Sequence, residues 1–266
     1  MRKNRLRELI KNGLPTIGTR VLSMWPGIVE IIGHTGKIDY VEFLGQYASW
    51  DLHDLDNLAR ATELFPMSSM MKVDQEPRGF IAQRAVGSGI QNILFTDIRT
   101  VEDAKECVGI VKPETPELQG IHGCHMRRDV GYVLDAGSPE YVKAMDDAVI
   151  AIMIEKKGAI DKLEEVLSVK GIDMVQFGPA DYALSIGLPG QWSHPEVKGA
   201  QLKTIKKAVE KGIRPRVELT GKESQKQIQE YIDLGVRDFS LPSDVVILYE
   251  WLKENAGNLK KILSKI

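Results

Sequence analysis

The chain has few of the features that mark nucleic-acid-binding, membrane or disulfide-bonded proteins. Its 266 residues carry 35 Lys and Arg against 37 Asp and Glu, so no excess of positive charge favours a nucleic acid or a membrane surface as partner. No apolar run approaches the length of a membrane span. The two cysteines, Cys107 and Cys124, lack the CxxC spacing of zinc or redox sites. We therefore expect a protein of a reducing, cytoplasmic setting.

Nucleotide-binding glycine motifs are also missing, since neither GxGxxG nor GxxxxGKS/T follows the first predicted strand. Short apolar segments instead alternate with amphipathic ones along the whole chain. This alternation predicts one α/β domain over residues 1–266, and a parallel (β/α)8 TIM barrel fits its length better than an open sheet. The predicted strands are Pro15–Ser23, Asp39–Leu44, Met67–Val73, Asn92–Thr96, Val149–Ile154, Met174–Phe177, Ile213–Glu218 and Val236–Leu241.

Two carboxylates follow the fifth and sixth of these strands. Glu155 comes directly after Val149–Ile154, and Asp181 lies a few residues beyond Met174–Phe177, with a predicted helix at Gly158–Ser168 between the strands. Parallel strands place both carboxylates at the same edge, where such folds keep their active sites. Carboxylate oxygens suit Mg²⁺ or Mn²⁺. The alternative is that both residues only stabilise helix amino termini.

A long irregular segment, Lys112–Asp147, interrupts the alternation and contains one predicted helix at its end. Segments of this kind are usually functional or disordered. It carries His125 and Arg127 in the sequence IHGCHMRRD. We consider two interpretations: a solvated basic loop, or a loop whose His125 acts as acid or base while Arg127 binds an anionic group of the substrate.

The apolar-Ile-Glu pattern at Glu155, followed by Phe-Gly-Pro-Ala-Asp ending at Asp181, resembles the metal-dependent pyruvate aldolases of the HpcH/HpaI family. The resemblance extends over essentially the whole chain. It implies that Glu155 and Asp181 hold a divalent ion (Mg²⁺, Mn²⁺ or Co²⁺) and that the backbone amides of Gly178 and Ala180 bind the substrate carboxylate. It also implies an oligomer, commonly a hexamer, in which the last helix, Asp244–Leu263, is exchanged between subunits.

Several catalytic positions depart from the family pattern. Where the family has Asp-Gly-Glu-His after the second strand, this chain has Leu-Gly followed by Gln46 and Tyr47. Lys72 stands in place of an arginine that polarises the keto oxygen, and Met153 in place of a glutamine that faces the substrate. Tyr47 is then either an acid/base or an aromatic wall of the pocket. Lys72 supplies positive charge, with Schiff-base formation as an alternative.

Together these features predict a metal-dependent carbon–carbon lyase, an aldolase, that acts on a 2-oxo or hydroxy-oxo acid through a metal-stabilised enolate. Tyr47 or His125 would transfer the proton, while Gln46 and Met153 would contact the substrate. Two alternatives remain open. The changed pocket could catalyse another reaction, an oxo-acid decarboxylation or a hydrolysis, or the barrel could bind an acid without turning it over.

Overall fold

The computed structural model describes residues 2–266. Eight parallel strands pair in chain order, and the eighth pairs with the first, so the sheet closes on itself. The predicted eightfold barrel is confirmed. The strands are β1 (Thr16–Val21), β2 (Tyr40–Leu44), β3 (Ser68–Val73), β4 (Asn92–Phe95), β5 (Ile150–Ile154), β6 (Met174–Phe177), β7 (Arg214–Glu218) and β8 (Asp238–Ser243).

The side chains of β5 point alternately into and out of the barrel, and both sets are buried. Ala151 and Met153 point into the barrel and join an inner cluster with Leu94 and Met174. The isoleucines between and beside them point outward and pack against the helices. Because both faces of a barrel strand are buried, a continuous apolar run replaces the alternating pattern of a half-exposed strand.

Helices cover the outside of the barrel, and the last helix has its predicted bounds, Asp244–Leu263. The prediction of a single helix at Gly158–Ser168 is wrong. The segment forms two short helices, because Lys162 adopts a non-helical conformation between them. The helices are α1 (Arg5–Lys11), α2 (Pro26–His34), α3 (Leu52–Glu63), α4 (Arg78–Ser88), α5 (Val101–Val111), α6 (Pro139–Asp146), α7 (Lys157–Asp161), α8 (Leu163–Val166), α9 (Pro179–Ser185), α10 (Pro195–Glu210), α11 (Gln225–Asp233) and α12 (Asp244–Leu263).

Helix α1 closes the amino-terminal end of the barrel. Leu6 is fully buried in the inner cluster, and its backbone N–H donates to Ser68 Oγ at 3.0 Å. Arg7 anchors the helix through a bidentate pair with Asp173, which lies just before β6. The opposite, carboxyl-terminal end is therefore the end at which a substrate can reach the barrel interior.

The interior is charged below that opening. Arg216 of β7 and Glu42 of β2 form an ion pair in which neither side chain is exposed, and the guanidinium also lies over the Tyr40 ring. Burial alone would lower the pKa of Arg216, but the adjacent Glu42 carboxylate raises it above its usual value. Arg216 is thus charged, and the pair places polar groups where most barrels have branched apolar side chains.

Helix α12 follows β8 directly and differs from the other long helices because no residue along it is buried. Its exposed apolar side chains include Leu248, Trp251 and Leu252. None of the helices within residues 2–266 combines the length and apolar character needed to cross a membrane. An exposed apolar face of this size marks an interaction surface.

Candidate active site

Glu155 and Asp181 lie at the carboxyl-terminal end of the barrel. Glu155 is the first residue after β5 and points inward, in the alternation that also turns Met153 inward. Asp181 belongs to the first turn of α9, which begins one residue after Gly178. Strands β5 and β6 are neighbours, and their last residues, Ile154 and Phe177, are paired. The two carboxylates therefore come after strand ends that lie at the same height in the barrel.

The Glu155 carboxylate is nearly inaccessible, with 3% of the residue exposed. Its Oε1 accepts a hydrogen bond of 2.8 Å from the backbone N–H of Asp97, and it has no ion-pair partner among residues 2–266. Burial raises the pKa of Glu155, an effect that the Asp97 amide and the Lys72 ammonium oppose and that Asp181 and Asp97 reinforce. A buried carboxylate of this kind is stabilised by any cation that reaches it.

Gly178 leaves the space that Glu155 fills. A Cβ at this position would overlap Glu155 Oε2, and would lie 2.8 Å from Glu155 Cβ and 3.1 Å from Met153 Cε. Met153 therefore forms an apolar wall beside the carboxylate. The Gly178 N–H, which we expected to bind a substrate carboxylate, instead donates to Ile154 O at 3.2 Å. Of the two amides predicted to bind the substrate carboxylate, only that of Ala180 is available. Its N–H lies in the first turn of α9 and has no acceptor within the helix.

Lys72, the fifth residue of β3, is 5% exposed and donates to Tyr47 Oη at 2.8 Å. Burial lowers its pKa, but Tyr47, Glu42 and Glu155 raise it more, so the net pKa lies above the usual value. Lys72 is therefore an ammonium, which disfavours the Schiff-base alternative because that chemistry starts from a neutral amine. Tyr47 is 58% exposed, so its ring lies at the opening while its oxygen reaches the buried ammonium.

Gln46 precedes Tyr47 in a loop that lies against the end of β3. Its backbone N–H donates to Lys72 O at 3.2 Å, and its Oε1 is buried without a hydrogen-bond partner among residues 2–266. Gly45 permits this approach, because a Cβ there would lie 2.9 Å from Lys72 O and would overlap Met71. An unpaired buried acceptor is costly unless a ligand supplies a donor.

The structure adds two residues that the sequence analysis missed, Asp97 and Lys156. The Lys156 Nζ lies 2.8 Å from Asp97 Oδ1 and 2.7 Å from Asp181 Oδ1. Each follows a strand end, Asp97 after β4 and Lys156 after β5. Both could have been selected in the same way as Glu155, since charged residues just beyond parallel strands converge at one edge.

A second group of polar residues continues around the opening. Gln176 Nε2 donates to Glu218 Oε1 at 2.7 Å, and Arg20 pairs with Glu218 Oε2 at 2.7 Å. These side chains belong to β6, β7 and β1. Both carboxylate oxygens of Glu218 are therefore engaged within the barrel wall.

His125 and Arg127 lie elsewhere, and their predicted place in the site is corrected. Arg127 donates to Gln83 O in α4, while His125 contacts His122, whose other ring nitrogen lies 3.1 Å from Ile110 O near the end of α5. Helices α4 and α5 run antiparallel to the strands, so their last turns lie toward the amino-terminal end of the barrel. Within one chain the helix layer thus separates this segment from Glu155.

Glu155 and Asp181 fit a divalent cation by their chemistry. Both offer hard carboxylate oxygens, one buried and one 43% exposed in its side chain, and the buried one has no ionic partner in the described residues 2–266. In the part of the chain that the structure describes, no three His, Cys, Asp or Glu side chains group closely enough to hold a metal by themselves. Mg²⁺ is usually bound by one or two carboxylates, with waters and substrate oxygens as its other ligands.

A closed parallel barrel with charged side chains gathered at the carboxyl ends of its strands is the architecture of a TIM-barrel enzyme. The sequence model of the HpcH/HpaI aldolase/citrate lyase family matches residues 31–241. The chain belongs to that family, as the sequence predicted.

Relatives are similar over most of their length. A hydroxypyruvate/pyruvate aldolase of Sagittula stellata is 27% identical over 211 residues, which cover 79% of this chain and 81% of the relative. A 4-hydroxy-2-oxo-heptane-1,7-dioate aldolase of Escherichia coli is 24% identical over 252 residues, 92% of this chain and 91% of the relative. A solved family member from Burkholderia cenocepacia has the same fold, with a TM-score of 0.86 at 22% identity over 97% of this chain and 100% of that one.

We predict that Gly178→Ala destabilises the protein by about 1–3 kcal/mol, because the added methyl group must displace Glu155 or Met153. Urea unfolding measures the change. Gly199→Ala is the matched control: Gly199 lies within α10 with no atom within 4 Å of the new methyl group. Its free energy of unfolding should rise by about 0.5–1 kcal/mol. Equal effects at the two positions would show that Gly178 is not tightly enclosed.

Proposed function

We propose that Glu155 and Asp181 hold a divalent cation, Mg²⁺, Mn²⁺ or Co²⁺, in an aldolase that cleaves or forms the carbon–carbon bond next to a 2-oxo acid. Family membership makes the chain a lyase of the aldolase type acting on oxo acids. The observation that carries the metal assignment is the Glu155 carboxylate, which is buried, has no ion pair within residues 2–266 and lies near the partly exposed Asp181. The bound cation would stabilise negative charge developing on the keto oxygen of the substrate.

The buried side chains around the cation site would orient the acid. The Ala180 N–H, at the amino terminus of α9, would donate to the substrate carboxylate. Gln46 Oε1, which lacks a partner, would accept a hydrogen bond from a substrate hydroxyl. Met153, the apolar wall beside Glu155, would contact the methyl or methylene carbon beside the keto group.

Tyr47 would transfer the proton, with Lys72 as its partner. The Lys72 ammonium donates to Tyr47 Oη, so the phenolic proton points away from Lys72 and is available to the pocket. When that proton leaves, the ammonium 2.8 Å away stabilises the phenolate. The same positive charge lies near Glu155, where negative charge develops during the reaction.

The function is tested by proton exchange. In deuterated buffer with Mn²⁺, the wild type should exchange the methyl protons of pyruvate, as followed by NMR. Glu155→Ala and Asp181→Ala should each abolish both the exchange and calorimetric Mn²⁺ binding while keeping the circular dichroism of the wild type, since each removes half of the protein ligands. Unchanged Mn²⁺ affinity in either variant would refute the metal assignment. Metal binding without exchange in the wild type would favour a non-catalytic barrel or another reaction.

The altered pocket leads to a second prediction. Tyr47→His together with Lys72→Arg restores the family residues at the two positions, and should raise aldol cleavage of pyruvate aldols at least about tenfold. One electrostatic donor aimed at a developing oxyanion contributes about 10²–10³-fold in rate. The expected tenfold gain is therefore smaller than the effect of a single donor. Initial rates with and without the changes measure it. No gain, together with rapid cleavage by the wild type, would mean that Tyr47 and Lys72 already serve ordinary pyruvate chemistry.

We also propose that α12 packs on a neighbouring subunit in a homo-oligomer. Its exposed leucines and Trp251, on a helix without a single buried residue, support this. Light scattering at micromolar concentration should give a multiple of the 29.7 kDa chain mass. Trp251→Glu should lower that mass, because a charge at a buried contact is costly. Leu64→Glu, at an equally exposed leucine after α3, should not. A monomeric wild type would contradict the proposal.

A further inference from the structure

Lys156 occupies a place in the site that the proposed function does not use. Its Nζ lies between two carboxylates, 2.7 Å from Asp181 Oδ1 and 2.8 Å from Asp97 Oδ1. Its side chain is only 17% exposed, and it follows Glu155 directly in the sequence. One of the two proposed metal ligands is therefore already neutralised by a cation that belongs to the protein.

Asp97 is built to keep this ammonium. It adopts a left-handed conformation, φ 59°, that non-glycine residues rarely take. In this conformation its N–H donates to Glu155 Oε1 while its Oδ1 faces Lys156. Asp97 can thus hold Lys156 with or without the help of Asp181.

A divalent ion and the Lys156 ammonium compete for Asp181. A metal ligated by an Asp181 oxygen would contact that oxygen directly. The ammonium now hydrogen-bonds to that carboxylate at 2.7 Å, so a single positive charge and a double one would lie within a few ångströms of each other. Their repulsion disfavours binding of both cations to Asp181 at once. The ammonium can instead keep its ion pair with Asp97 alone.

We propose that Lys156 is a tethered counter-ion of the metal site, which neutralises Asp181 when no divalent ion is bound and must be displaced onto Asp97 before one can bind. This inference rests on the proposed metal site at Glu155 and Asp181. It makes Lys156 a positioning residue that sets the affinity of the site and the state of Asp181. It also assigns Asp97 a role distinct from ligation, as the acceptor of the displaced ammonium.

Calorimetric titration with Mn²⁺ tests the proposal on the intact protein. Lys156→Met keeps the length of the side chain and removes its charge, so Mn²⁺ should bind about tenfold more tightly. Lys156→Arg keeps the charge and should bind Mn²⁺ no more tightly than the wild type. Asp97→Asn removes the alternative partner of Lys156 and one negative charge, so it should weaken binding. This variant provides an independent test should Lys156→Met fail to fold.

Lys157→Met is the matched control. Lys157 is the next residue, carries the same charge and pairs with Asp161 at 2.6 Å on the exposed surface, so its removal should leave the Mn²⁺ affinity within about twofold. Equal or weaker binding in Lys156→Met overturns the proposal, because it would mean that Lys156 holds Asp181 in place for the metal.

The metal site and the role of Lys156 can be refuted separately. If Glu155→Ala abolishes Mn²⁺ binding but Lys156→Met does not strengthen it, the metal site stands and the role of Lys156 is refuted. If neither the wild type nor Lys156→Met binds Mn²⁺, or if Glu155→Ala binds it unchanged, the metal site and the inference built on it are both refuted.

Discussion

The site is organised by one electrostatic constraint, the burial of the Glu155 carboxylate at the end of β5 without an ion-pair partner. Removing a carboxylate from water without compensation is costly. The surroundings offset this cost in part, through the Asp97 N–H and the nearby charge of Lys72. They also require that Gly178 carry no side chain. The part of the desolvation cost that these groups do not offset is the reason that a cation beside Glu155 would be favourable.

Much of this arrangement could be predicted from the sequence. The strands from β4 to β6 are continuous apolar runs because both of their faces are buried, so their bounds were predicted to within one residue. Parallel topology then fixes the edge at which Glu155 and Asp181 meet. Ends of helices were less certain, because local conformation decides them. Lys162 interrupts the helix between β5 and β6 without any glycine or proline to mark the break.

Other parts of the site depend on contacts that no local pattern encodes. His125 and Arg127 have the right chemistry, but Arg127 donates to Gln83 O in α4, and His125 contacts His122 and Asp129. Lys156 could have been taken for an ordinary surface lysine of a helix start. Its partners lie 25 residues away at Asp181 and beyond β4 at Asp97, so only the closure of the barrel brings the three charges together.

Helix α1 seals one end of the barrel, with Leu6 buried in the interior and Arg7 tied to Asp173. Substrate and product would consequently enter and leave through the opening at the carboxyl-terminal end. Helix α12 starts at that opening, where the Asp244 carboxylate accepts hydrogen bonds from the backbone of Leu22 and Ser23 just after β1. A subunit that packs on the first turn of α12 would therefore lie beside that rim, so the same surface would affect both assembly and access to the active site.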